Sequence, residues 1–153
     1  MANNPYEYAL NLLAARAYTV RNLRRKLTQK GFEAADVERV LERLQGSGLL
    51  DDVKFAAEFA RQRLVVAGAS VRRVEHDLIR RGISPDSAKA ATRAVVDEED
   101  VDFDASMERL ARKKLASLGD LEPQIKRRRV FGFLARKGYE LDDINRTLVR
   151  ILP

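Results

Sequence analysis

Apolar positions along this chain fall into amphipathic stretches that recur in groups of three. Leu27, Leu78 and Leu134 each stand four residues before a glycine, at Gly31, Gly82 and Gly138, and each glycine is followed by a large apolar residue, Phe32, Ile83 or Tyr139. Eight residues before the glycines lie Leu23, Val74 and Val130; six after them lie Val37, Ala88 and Ile144. Ten after lie Leu41, Thr92 and Leu148; thirteen after lie Leu44, Val95 and Ile151. Offsets of three and four residues on both sides of a turn predict helix, turn, helix. Further amphipathic segments precede each pair, marked by Tyr6, Leu10 and Leu13, by Phe55, Phe59 and Val66, and by Phe103, Met107, Leu110, Leu115 and Leu118. The pattern predicts helices over 6–17, 19–30 and 34–45, then 52–66, 70–81 and 85–96, then 102–118, 123–137 and 141–151. No stretch alternates with period two for long enough to suggest a strand.

The local punctuation agrees with this division. Glycine just past a helix takes the left-handed conformation without a Cβ clash, and Lys30, Arg81 and Lys137 before it suit the negative end of the helix dipole. These three glycines are therefore expected to be structural helix ends. Thr19 and Ser70, twelve residues before their glycines, are placed to cap the middle helices, and Ser84-Pro85-Asp86 and Pro123 mark further starts. Asp51 and Asp52 fall where a carboxylate caps the next helix, a better reading than an acid–base pair. The chain is expected to be all-α: three tandem three-helix repeats, 1–50, 51–97 and 98–153, in an elongated or curved arrangement, because units this small bury too little surface alone and pack on their sequence neighbours. The acidic run from Val96 to Asp104 predicts a loose, solvated junction between the second and third repeats.

Charge then narrows the function. Lysine and arginine number 29 against 23 aspartates and glutamates, a formal net charge of +6. The cations are segregated: Arg21, Arg24, Arg25, Lys26 and Lys30 share one predicted helix with no acid, as do Lys126, Arg127, Arg128, Arg129, Arg136 and Lys137. Arg72, Arg73, Arg80 and Arg81 are interleaved with Glu75 and Asp77. Such a field attracts polyanions or acidic protein surfaces. The candidate contact residues are Arg21, Arg24, Arg25, Arg72, Arg73, Lys126, Arg127, Arg128, Arg129, Arg136 and Lys137. Taken singly, Arg21, Arg72 and Lys114 suit a solvated face or ion pairs; the crowded Lys126–Arg129 run favours an anionic partner. The helices after the glycine turns carry Asp36, Glu38 and Glu42, or open with Asp142 and Asp143, so they are unsuited to read a DNA groove. Binding to single- or double-stranded DNA is expected to be weak, through the backbone and independent of sequence.

Catalytic material is sparse. Neither phosphate-binding glycine motif occurs, the single histidine, His76, lies in a charged helix, and Phe55 and Phe59, one turn apart, suit core packing. Absence of cysteine removes disulfides and thiolate metal sites. The residues predict a non-enzymatic, soluble, cytoplasmic monomer with no cofactor, no metal and no membrane association.

Three elements resemble the RecX family, bacterial regulators of the RecA recombinase. Leu49-Leu50-Asp51-Asp52 with Phe55-Ala56, Arg63, Gly68 and Leu78 to Ile83 is similar to the family's central signature. Ala9, Leu10, Leu13, Arg16, Leu23, Leu27, Lys30, Gly31 and Phe32 resemble its opening; Lys126, Phe133 to Tyr139 and Ile144 resemble its close. Asn22, Phe59 and Gly68-Ala69 depart from the usual acid, tryptophan and more polar turn. The resemblance implies a RecA filament as partner, with modulation, mostly inhibition, of filament growth, ATPase and strand exchange, in recombination, repair and the SOS response. A stand-alone DNA-binding repeat protein and a helical adaptor for another protein remain alternatives.

Overall fold

The computed structural model describes residues 4–153, and the start of the first expected repeat lies outside them. Among the described residues nine α-helices follow in order: α1 Pro5–Ala15, α2 Val20–Lys30, α3 Ala34–Gly46, α4 Asp52–Arg61, α5 Val71–Arg80, α6 Pro85–Glu99, α7 Phe103–Ser117, α8 Pro123–Arg136 and α9 Leu141–Ile151. Among the described residues there is no strand, and the fold is all-α. The apolar period explains the burial. Leu23, Leu27, Val37, Leu41 and Leu44 close on Ala9 in the first bundle, and Met107, Ala111, Val130, Leu134, Ile144 and Leu148 form the last.

By compactness the chain divides into two units. The first holds the described residues up to Phe59 with Asp77–Ala91, and the second holds Ala60–His76 with Thr92–Pro153. Helix α5 thus begins in the second unit and ends in the first.

Several helix ends are set by residues legible from the sequence. Gly31, Gly82 and Gly138 have φ of 106°, 97° and 95°. Each closes a complete Schellman turn: Phe32, Ile83 and Tyr139 donate from their backbone N–H to the carbonyls of Leu27, Leu78 and Leu134 at 3.4, 3.1 and 3.4 Å. Asn4 caps α1 by accepting from Tyr6, and Pro5 occupies its first turn, a start one residue earlier than the apolar pattern predicts. Asp51 Oδ1 accepts from the Lys54 N–H at 3.1 Å at the start of α4. Asp52 turns elsewhere, accepting from the Val20 N–H at 2.9 Å, and so satisfies an orphan donor of α2.

Two expectations need correction. The helix predicted over 52–66 is α-helical only to Arg61 and continues as a π-helix over Gln62–Val66, with the Ala67 N–H reaching the Gln62 carbonyl at 3.0 Å. The wider turn cannot be read from periodicity, because it adds one residue to a single turn. The acidic run is also not one open linker. Helix α6 extends to Glu99, where Arg61 Nε pairs with Glu99 Oε1 at 2.9 Å and offsets the charge crowding. The break is confined to Asp100, at φ 49°, through Asp102, whose carboxylate caps α7 by accepting from the Ala105 N–H at 3.0 Å.

Candidate functional site

The starts of two middle helices do more than cap themselves. In the first unit Thr19 Oγ1 accepts from the Asn22 N–H at 3.2 Å and donates to the Arg81 carbonyl at 2.5 Å. Arg21 adds a guanidinium bond to the Arg80 carbonyl at 3.0 Å. The second unit repeats this arrangement. Ser70 Oγ accepts from the Arg73 N–H at 3.1 Å and donates to the Gly138 carbonyl at 2.8 Å, while Arg73 reaches the Arg136 carbonyl at 3.1 Å. A hydroxyl is suited to this double duty, since it both donates and accepts, and the carbonyls it meets are those a helix end leaves unpaired. Tyr139 locks the same junction: its hydroxyl donates to the Gly68 carbonyl at 2.5 Å, and burial pushes its phenol up to about 12. Arg109 pulls that value down and Asp104 adds to the rise.

These contacts sort the eleven candidate cations. Arg21 and Arg73 hold helix ends, and Arg72 reaches the Gly138 carbonyl at 3.4 Å and Glu140 at 3.8 Å. Lys137 lies 3.4 Å from the Ala67 carbonyl, with its ammonium 5.6 Å from the centre of the Phe133 ring. Arg24 is paired with Glu38 at 2.7 Å; that bond raises the guanidinium pKa and holds the Glu38 carboxyl below its ordinary value. Arg21, Arg24 and Arg25 all remain exposed on the first unit. Arg21 and Arg24 are committed inside the first unit, and only exposed Arg25 has no ion pair or side-chain hydrogen bond among the described residues.

Helix α8 is different. Its inward face is Val130 and Leu134, fully buried, so the residues on its other sides cannot turn in. Arg127, Arg128, Arg129 and Arg136 are exposed, and none makes a side-chain hydrogen bond or ion pair among the described residues. Lys126, one turn before Val130, is half-buried. Lys126 and Arg129, three residues apart, are neighbours on the helix surface with Lys126 at the edge of the packed face, and Arg129 shares its side with Arg136, two turns on. Three adjacent unpaired guanidiniums repel one another and carry forked donors that match phosphate and carboxylate oxygens. Phe55 and Phe59, expected as core, are half-buried and stack on each other at 5.8 Å, with the Arg81 guanidinium 4.6 Å from the Phe59 ring centre. His76 is exposed. Among the described residues no cluster of histidine, cysteine or acids could hold a metal, and no helix is long and apolar enough to cross a membrane.

Known proteins supply an independent comparison. Residues 6–44, 51–91 and 102–148 match, in order, the first, second and third three-helix domains of RecX. The chain is 38% identical over 134 residues to the regulatory protein RecX of Amycolatopsis mediterranei, covering 87% of this chain and 74% of that one. It is 31% identical to the regulatory protein RecX of Pelodictyon phaeoclathratiforme, covering 95% and 88%. In fold it is similar to the crystal structure of RecX from Lactobacillus salivarius, with TM-score 0.69, 19% identity and coverage of 96% and 94%. A second crystal structure, of a regulatory protein RecX, gives TM-score 0.73 at 20% identity, covering 94% of this chain and 70% of that one. Three ordered domain matches and relatives aligned over most of their length place one conclusion beyond the fold: the chain belongs to the RecX family of regulatory proteins.

Proposed function

We propose that this chain is a non-enzymatic, cytoplasmic regulator that binds the RecA filament on DNA and mostly inhibits its growth, ATPase and strand exchange. Membership of the RecX family supports the choice of partner. The observation that carries the mechanism is the exposed, unpaired run Arg127, Arg128 and Arg129 on α8, joined on its side by Arg136. Arg25 contributes from α2, whereas Arg21, Arg72, Arg73 and Lys137 act chiefly by holding helix ends. Contact with phosphate is indifferent to sequence and weak, because backbone oxygens carry charge but no base identity. On this reading the protein works as a monomer whose repeats, 1–50, 51–97 and 98–153, supply surfaces and perform no chemistry.

The test is the ATPase of RecA on single-stranded DNA with and without the protein. Wild type should lower the rate, and the triple variant Arg127→Glu, Arg128→Glu, Arg129→Glu should lose most of that effect with helicity and Tm unchanged. Full inhibition by a well-folded triple variant would remove α8 from the mechanism. Equal binding to bare strands and to preformed filaments would favour a stand-alone DNA-binding protein.

A further inference from the structure

The second unit carries a cavity of about 370 Å³ between the π-helical turn, α7 and the end of α8. Its apolar lining is Val66, Ala67, Leu110 and Phe133, and its charged lining is Lys113, Lys114 and Lys137, with no acid. Val66, the last residue of the π-turn, is 65% exposed and forms one wall of the cavity. π-turns recur at functional sites. Phe133 is half-buried, with the Lys114 and Lys137 ammonium groups 5.5 and 5.6 Å from its ring centre.

We propose that this cavity binds an acidic peptide segment through one inserted apolar or aromatic side chain, with flanking carboxylates on Lys113, Lys114 and Lys137. Charge complementarity selects the class, since three cations line the mouth and no acid opposes them. The floor selects the anchor. Four apolar side chains solvate a hydrocarbon or aromatic group, and the volume admits one such residue with part of its backbone. A nucleic acid fits less well, because stacking a base needs an open ring face and both ammonium groups are already drawn to the Phe133 ring. The site is separate from the arginine run on α8, and of the eleven candidate contact cations only Lys137 lines it.

The probe is a fluorescein-labelled nonapeptide with a central phenylalanine flanked by aspartates and glutamates, titrated against the full chain by anisotropy. Neither recombinase nor DNA is present, so the result is independent of the filament reading. Expected are saturable binding, at least tenfold weaker binding when the peptide phenylalanine is alanine, and at least tenfold weakening by Lys113→Glu with Lys114→Glu. Val66→Asp should weaken binding similarly, and its exposure keeps the fold intact, as an unchanged Tm would show. The proposal is overturned by no binding at millimolar protein, by equal binding of the alanine peptide, or by folded variants that bind as well as wild type. Displacement of the peptide by oligo-dT, with the same variants losing the oligonucleotide, would instead make the cavity a nucleic-acid site.

Discussion

Alanine substitutions at Gly31, Gly82 and Gly138 test whether three turns of identical local geometry carry unequal loads. All three have positive φ, so each alanine incurs left-handed strain of about 1–2 kcal/mol. The surroundings differ. A Cβ at Gly31 meets nothing within 4 Å among the described residues, whereas at Gly82 it would lie 2.6 Å from the Arg21 Cβ. At Gly138 it would lie 2.5 Å from the Arg73 Cβ and also strike the Ser70 hydroxyl. Neither neighbour can withdraw freely, because Arg73 and Ser70 are bonded to the end of α8. Overpacking of this kind adds about 1–3 kcal/mol. Gly31→Ala should therefore cost about 1–2 kcal/mol and Gly138→Ala about 2–5 kcal/mol, with Gly82→Ala close to the latter. For a chain of this length 1 kcal/mol moves Tm by about 2–4 °C, so the Gly31 and Gly138 variants should differ clearly in calorimetry. A double-mutant cycle sharpens the test. Ser70→Ala should couple to Gly138→Ala and not to Gly31→Ala, since only contacting residues share an interaction energy. Equal Tm losses at Gly31 and Gly138, or no coupling to Ser70, would refute the reasoning.

Two further outcomes follow from the junctions. Thr19→Ala and Ser70→Ala each remove a helix cap and a bond to another helix end, and should cost about 1–3 kcal/mol in urea denaturation followed at 222 nm. Loss of stability no greater than that of an exposed serine would exclude the second bond. The folded Tyr139 phenol ionises at about 12 rather than near 10, so it favours the neutral state in which its hydroxyl donates to Gly68. Its contribution is complete below pH 10 and falls as pH rises toward 12. Tyr139→Phe should flatten that alkaline loss of Tm relative to wild type.

The fold was legible because its signals are local. A glycine, the residue four before it and the residue after it settle a Schellman turn within one helix end, and Thr19, Ser70 and Pro123 announce starts in the same way. The partners of the cations were not legible. Arg21 meets the Arg80 carbonyl 59 residues away and Arg73 meets that of Arg136 63 residues away, separations across which spacing carries no information. A run of arginines consequently looks alike in α2 and α8, although one is largely spent inside the unit and the other is exposed. The Lys-lined cavity escaped for the same reason, because Lys114 and Phe133 lie on different helices.

The hydroxyl seated on a glycine turn has a consequence for self-association. A head-to-tail contact that repeats without closing builds fibres. Here Thr19 and Ser70 are both consumed within the chain, at Arg81 and Gly138. The turn at Gly31 is unoccupied among the described residues, yet the one remaining middle helix, α8, opens with Glu122-Pro123 and makes no side-chain cap bond. It has no hydroxyl to offer a second molecule. The start of α8 therefore cannot repeat, at the Gly31 turn of a second copy, the hydroxyl contact that Thr19 and Ser70 make within one copy.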